Sequence, residues 1–136
     1  MKKTLVSFAV IILIMLRPAY SQLVISTYKN LSGTWNKYTK KYTYGEPREI
    51  DIVFKVYKTH ITVSDRAGSV YKLVQSKDDI VDSDCTIVGF DCVDEKNRRC
   101  DVSLFKYNDP SRANMIAVIY EEMAFMYFIS GIENLN

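Results

Sequence analysis

Strict alternation of apolar and polar residues is the sequence feature that most constrains what this chain can fold into. It is clearest where Ile50, Ile52, Phe54 and Val56 alternate with polar residues that include Asp51 and Lys55. A period of two places the apolar row on one face of a β-strand, whereas a helix would need a period near 3.6. Turn-forming residues recur at short intervals along the chain, and no internal repeat or low-complexity tract divides it. The pattern predicts an all-β domain.

Further strands follow from the same pattern. One begins near His60 and covers 61–64, the turn Asp65–Gly68 leads into a strand at 69–74, and two arms are placed at 85–93 and 99–107. The segment Asn108–Ser111 is the clearest break, because its proline cannot donate to a ladder and Asn and Asp favour turns.

The segment from Met115 to Ile129 is apolar enough for a buried helix as well as for strands. The Glu121–Glu122 pair lies at its centre, and bulky residues alternate after it at Phe125, Tyr127 and Ile129. We interpret the segment as a tight hairpin, with a helix as the alternative.

In total the chain contains seven or eight predicted strands, each joined to the next by a short turn. An antiparallel up-and-down meander, closed as a small barrel or as a flattened sandwich, is the expected arrangement because closure removes exposed edges.

The first 21 residues have the organisation of a secretory signal peptide. Lys2 and Lys3 precede an almost wholly apolar run from Leu5 to Leu16, and the segment ends in Ala19-Tyr20-Ser21. The run is too short to span a bilayer as a helix, and small residues precede the expected cleavage point. We expect a signal peptide at 1–21 and one domain at 22–136 that is secreted or periplasmic, without a membrane span after cleavage. An uncleaved N-terminal anchor is the alternative.

Removal of the signal peptide changes the charge of the protein. Three of the eighteen basic residues lie in it, so fifteen remain against sixteen acidic residues. The mature chain is therefore close to neutral, and nothing in its charge indicates a nucleic-acid partner.

Three cysteines remain in the mature chain: Cys85, Cys92 and Cys100. An exported protein is expected to form at least one disulfide, and an odd number leaves one thiol over. If residues 95–97 form a three-residue hairpin loop with Asn97 left-handed, Cys92 lies directly opposite Cys100. We therefore predict a Cys92–Cys100 disulfide, with the two pairings that involve Cys85 as alternatives.

We interpret the segment from Leu31 to Gly45 as one strand, or two, ending at Gly45. Tyrosines and lysines are interleaved in its second half, and Tyr38, Tyr42 and Tyr44 are predicted to share one face with Lys40. Such a surface could contact a partner protein or an acidic glycan, although Tyr–Thr alternation is also good strand chemistry. The predicted interaction surface consists of Lys37, Tyr38, Lys40, Tyr42 and Tyr44.

Gly33-Thr34-Trp35 lies in the first predicted strand after the signal peptide and is followed by a meander. This arrangement resembles the opening of calycin proteins, the lipocalins, fatty-acid-binding proteins and avidins. The resemblance implies a ligand-binding barrel whose tryptophan packs across the closed end. The arginine that lipocalins and fatty-acid-binding proteins place near the C-terminus has no counterpart, since no arginine follows Arg112.

The function favoured by the sequence is non-catalytic binding of a small apolar or aromatic ligand. The alternative is an interaction module, an inhibitor or envelope component, that uses the tyrosine and lysine surface. The candidate ligand-binding residues are Trp35, Phe54, Tyr71, Tyr120, Phe125 and Tyr127.

An enzyme is the less favoured reading of the sequence, because no catalytic constellation can be assembled around the single histidine, His60. No cofactor is implied. The acidic run from Asp78 to Asp84 lacks EF-hand spacing, and we expect a solvated loop and no metal site there.

Overall fold

The alternating segments pair into one antiparallel sheet that closes on itself. The computed structural model describes residues 23–134, and the predicted signal peptide at 1–21 lies outside them. The described residues form ten strands: β1 Leu23–Asn36, β2 Lys41–Tyr44, β3 Arg48–Val56, β4 His60–Val63, β5 Val70–Ser76, β6 Ile80–Val81, β7 Cys85–Val93, β8 Arg99–Tyr107, β9 Met115–Ile119 and β10 Met123–Asn134.

Eight of these strands make a closed up-and-down barrel in the order β1-β3-β4-β5-β7-β8-β9-β10, with β10 pairing back onto β1. The two remaining strands are short additions, β2 against β1 and β6 against β7. The predicted all-β meander is confirmed. Of the two arrangements expected for it, a small barrel and a flattened sandwich, the structure shows the barrel. The eight strands of the barrel agree with the predicted seven or eight, and β2 and β6 are two short strands in addition to them.

The C-terminal segment is the hairpin that the alternation favoured. Strands β9 and β10 pair antiparallel from Ala124 opposite Ile119 to Phe128 opposite Met115, and the Tyr120 amide donates to the Met123 carbonyl at 2.8 Å. The helix alternative for this segment is wrong. Among residues 23–134 there is no helix of the length and hydropathy needed to cross a membrane.

The first strand differs most from expectation. It begins at Leu23, eight residues before the predicted start, and it ends at Asn36. There the Asn36 side-chain oxygen accepts hydrogen bonds from the amides of Tyr38 (2.9 Å) and Thr39 (3.1 Å), and Lys40 has a φ of 54°. An Asn side chain that captures the next amides initiates a turn. The predicted single face containing Tyr38, Lys40 and Tyr42 is therefore wrong.

The cysteine hairpin has the predicted register. Asn97 is left-handed with a φ of 61°, the Asp94 amide donates to the Arg98 carbonyl at 3.0 Å, and Cys92 lies opposite Cys100. All three cysteines are nevertheless buried free thiols, so the predicted disulfide is not formed in this structure.

The barrel interior is filled by side chains. Its core includes Phe54 and Ile25, both fully buried, together with Ile61, Val102 and Ile116, each about 1% exposed. An eight-stranded barrel is just wide enough for its own side chains to fill the interior.

Truncation of the most buried aromatic residue should test this packing. We expect Phe54→Ala to lower the free energy of unfolding by about 3–5 kcal/mol, because it removes a fully buried ring and leaves a cavity. Tyr38→Ala is the matched control, since this ring is 86% exposed in the β1–β2 turn, and its effect should stay within about 0.5 kcal/mol. Urea unfolding measures both. Equal losses in the two variants would show that the interior is not packed as described.

Candidate functional site

A cavity opens at one end of the barrel, where the turns at 64–69, 94–98 and 120–122 come together. It has a volume of about 390 Å³ and is called the cup below. Its walls are Tyr71, Tyr120, Met123, Phe125 and Tyr127, and its rim is Asp65, Ala67, Ser69, Asp94, Glu95, Lys96 and Arg98.

The aromatic walls come from strands that meet at this end. Phe125 and Tyr127 are two residues apart on β10 and therefore project to the same side. The Tyr127 ring packs edge-on against Phe54 at 5.0 Å between ring centres, and Tyr120, directly after β9, packs edge-on against Phe125 at 6.5 Å. Tyr71 enters from β5 and is 8% exposed. The barrel thus offers four aromatic side chains to one cavity, with Phe54 beneath them in the core.

Asp94 organises the rim. Its carboxylate accepts hydrogen bonds from the Tyr120 hydroxyl at 2.8 Å, from the Arg98 Nε at 3.0 Å, and from the amides of Lys96 and Arg98 at 2.9 Å each. The side chain of Asp94 is only 9% exposed. The hairpin tip 94–98 is therefore tied to the aromatic wall through one carboxylate.

The same contacts set the ionisation of this group. Burial acts to raise the pKa of Asp94, but hydrogen bonds from the Arg98 amide, the Tyr120 hydroxyl and the Lys96 amide outweigh it and lower the pKa to about 2. Burial and the bond to Asp94 raise the pKa of Tyr120, and burial raises the pKa of both Tyr71 and Tyr127 to about 12. At neutral pH the cup therefore contains neutral phenols beside an ionised carboxylate.

Two further carboxylates shape the rim. Asp65 accepts hydrogen bonds from the Ser69 amide (2.9 Å) and hydroxyl (2.6 Å), and Glu95 accepts one from the Val70 amide (2.6 Å). The Asp65 bonds hold the β4–β5 turn, and the Glu95 bond links the β7–β8 turn to the start of β5, which supports a preformed opening.

The cup has the attributes of a small-molecule site. Such sites have volumes of about 300–1,000 Å³, largely apolar walls and a few placed polar groups. Within residues 23–134 no group of three or more His, Cys, Asp or Glu side chains is placed to hold a metal ion.

Trp35 does not belong to the cup. It is 37% exposed, packs edge-on against Tyr42 at 5.0 Å, and lines a separate, wide depression of about 680 Å³ together with Glu121 and Glu122. The position that the calycin resemblance implies for this tryptophan, across the closed end, is not the one observed. Of the six candidate ligand-binding residues, four line the cup, Phe54 supports it, and Trp35 lies outside.

The predicted interaction surface is divided in two. Lys37, Tyr38 and Lys40 lie in the turn after β1, whereas Tyr42 and Tyr44 lie on β2 with ring centres 6.0 Å apart. Gly33 is opposite Tyr44, and a Cβ at this glycine would come within 3.0 Å of the Tyr44 ring. The glycine of the Gly33-Thr34-Trp35 motif therefore makes room for a tyrosine ring that covers it.

The rim residues Asp65, Asp94 and Arg98 were not identified from the sequence as site residues. The sequence did contain a signal for Asp94 and Arg98, because the predicted hairpin register places these two residues opposite each other at the hairpin tip. Nothing in the sequence indicated that this tip would meet Tyr120.

Comparisons of the chain with protein-family models, with curated proteins and with solved structures gave no match.

The Asp94 network predicts acid sensitivity. An aspartate in an unfolded chain titrates at about pH 3.9, above the folded value, so the ionised form stabilises the fold above about pH 4 and this contribution is lost as the pH falls towards about 2. We expect Asp94→Asn to lower the free energy of unfolding by about 2 kcal/mol at pH 7 and to flatten its decline between about pH 4 and pH 2.

Chemical denaturation across this pH range measures the effect. Asp79→Asn is the matched control, since Asp79 is exposed in the loop before β6 and its removal should leave the profile unchanged. A steep acid decline that persists in Asp94→Asn would assign the sensitivity to other carboxylates.

Proposed function

We propose that this chain is an exported small β-barrel protein that binds a small apolar or aromatic ligand in the cup without catalysing a reaction on it. The observation that carries the proposal is the convergence of Tyr71, Tyr120, Phe125 and Tyr127 on one cavity of about 390 Å³. Burying an apolar ligand against these rings gains about 25 cal/mol for each Å² removed from water.

The architecture supports the same proposal. A closed meander of eight strands is the arrangement on which calycin proteins build their ligand sites, and the signal peptide proposed at 1–21 would deliver the domain outside the cytoplasm. The filled interior limits the ligand to the barrel mouth, so we propose a ligand smaller than those that occupy a hollow barrel.

An exposed aromatic cluster favours a second candidate function, recognition of a protein or glycan partner by the β1–β2 hairpin. Tyr42 packs against both Trp35 and Tyr44, which remain 37% and 53% exposed. Exposed aromatic rings are enriched at interfaces, and the neighbouring Lys37 and Lys40 would favour an acidic partner.

Blocking the cup distinguishes the two functions. Ala67 is an exposed rim residue, and Ala67→Trp should fill the cup without disturbing the core. With the neutral fluorophore N-phenyl-1-naphthylamine as probe, we expect wild-type protein to enhance its fluorescence and Ala67→Trp to weaken binding at least tenfold. Lys58→Trp, exposed in the β3–β4 turn at the other end, is the matched control and should bind as wild type does.

If Ala67→Trp retains fluorophore binding and Tyr44→Ser loses it, the binding site lies on the β1–β2 hairpin and not in the cup. Absence of binding in the wild-type protein would overturn the cup proposal.

We further propose that export joins Cys92 to Cys100. Directly opposed positions on paired strands meet the distance requirement of a disulfide. Burial raises the pKa of Cys92 to about 12 and that of Cys100 to about 11, which lowers the reactivity of both thiols in the folded barrel.

Non-reducing peptide mapping of protein purified from its export compartment should find Cys92 linked to Cys100 and Cys85 as a free thiol. The same protein made under reducing conditions is the control. A bridge that includes Cys85 would contradict the proposed pairing.

A further inference from the structure

The charges around the cup do not cancel. Arg98 is neutralised within the rim, because its Nε lies 3.0 Å from the Asp94 carboxylate. The remaining charged groups are the carboxylates of Asp65 and Glu95 and the exposed ammonium of Lys96. Among the residues that line the cup there are three carboxylates and two cations, a net charge of −1, and Arg66, exposed in the same turn as Asp65, does not line the cavity.

Asp65 is the carboxylate best placed to face a ligand. It is partly buried in the β4–β5 turn, and the Ser69 amide and hydroxyl hold its two oxygens from the turn side. A carboxylate oxygen can accept more than one hydrogen bond, so each oxygen of Asp65, which lines the cavity, can accept a further one. Asp65 lines the same cavity as Tyr71 and Tyr127. Burial is the largest cause of the raised pKa of both phenols, and the negative charge of Asp65 is the next cause for Tyr127 and the smallest cause for Tyr71. The carboxylate therefore lies close to two phenols of the cup wall.

The aromatic walls attract cations as well. The faces of tyrosine and phenylalanine rings are electronegative, and a cation within about 6 Å of a ring centre is stabilised. The structure already contains one such contact here, since the Arg98 guanidinium carbon lies 5.1 Å from the centre of the Tyr120 ring. The Phe125 and Tyr127 rings line the same cavity and are partly exposed.

We propose that the ligand of the cup is a small organic cation, an arylalkylamine whose ring packs against Phe125 and Tyr127 while its ammonium group is held by the Asp65 carboxylate. This inference rests on the proposed function of the cup and specifies its ligand class. An ammonium group satisfies the carboxylate with a charge-assisted hydrogen bond. A neutral ligand leaves Asp65 without a counter-ion, and an anionic ligand is repelled by Asp65 and Glu95.

Three probes that share a phenyl ring and a two-carbon chain and differ in charge test the inference: 2-phenylethylamine, 2-phenylethanol and phenylacetate. Binding is measured at pH 7 by isothermal titration calorimetry, with amide shifts of residues 64–71 as the site-specific readout. We expect the amine to bind wild-type protein at least tenfold more tightly than the alcohol and the acid to bind most weakly. Ala67→Trp should abolish all binding.

Asp65→Asn removes the charge and keeps one oxygen that can accept the hydrogen bond of the Ser69 amide, while its NH2 group can donate to the Ser69 hydroxyl oxygen. It should reduce the preference for amine over alcohol to less than threefold. The matched control is Asp82→Asn, because Asp82 has an equivalent turn role at the opposite end, where it accepts hydrogen bonds from the amides of Asp84 (2.8 Å) and Cys85 (2.9 Å). That variant should retain the wild-type preference.

Equal binding of amine and alcohol, or an unchanged preference in Asp65→Asn, would overturn the cation inference while leaving the cup as an apolar site. Failure of all three probes and of the naphthylamine fluorophore would overturn the proposed function itself.

Discussion

The rest of the structure depends on the pairing of the first described strand with the last. Eleven residue pairs join β1 to β10, from Leu23 opposite Asn134 to Thr34 opposite Met123. This ladder removes two sheet edges at once and encloses the apolar faces of the intervening strands. It also joins segments about a hundred residues apart, as in the hydrogen bond from the Ser130 hydroxyl to the Ser26 carbonyl. Contacts of such sequence separation gain stability only after most of the chain is ordered, which makes closure cooperative.

Closure requires β1 to bend, and the register shows where it does. The pairing with β10 shifts between Ser26 and Lys29, and the pairing with β3 shifts between Thr27 and Lys29. Bulges of this kind increase the local twist of a strand and help a sheet to curve into a barrel. The buried Thr27 hydroxyl donates to the Ile52 carbonyl at 2.7 Å at this position. The polar side chain at the bend is thus hydrogen-bonded to the neighbouring strand.

The local sequence pattern was sufficient to predict most of the strands. It was insufficient to predict the contacts between strands that are distant in sequence. The arms of the cysteine hairpin were predicted at their observed bounds, because alternation and a left-handed Asn97 both act over a few residues. Two strands were allowed for the segment that ends at Gly45, but the turn after Asn36 was not located, because the strand propensity of the tyrosines and threonines was given more weight than the amide-capturing side chain of one asparagine. Residues 23–30 were missed because their burial depends on β3 and β10, which lie far away in sequence.

The candidate site shows the same division. Tyr120, Phe125 and Tyr127 were candidates because they are aromatic residues on one predicted hairpin, and Tyr71 joins them only through barrel closure. Trp35 was grouped with them through a resemblance, but its place at the end of β1 puts it on the hairpin beyond the cup. The rim could not be predicted from the sequence. The hydrogen bond between Asp94 and Tyr120 joins residues that are 26 positions apart, and their contact depends on the relative register of the strands in the closed barrel.

The position of the cup follows from the size of the barrel. Eight strands leave an interior that Phe54, Phe90, Leu104 and their aliphatic neighbours fill, and the cup lies where the strands end and the turns diverge. Tyr71 belongs to the core cluster, and Tyr120, Phe125 and Tyr127 pack against it from the level at which β4 ends at Val63. These aromatic rings therefore both stabilise the core and line the cavity. Substitutions at the rim, where Ala67 and Asp65 lie, therefore separate ligand binding from folding more cleanly than substitutions of the walls.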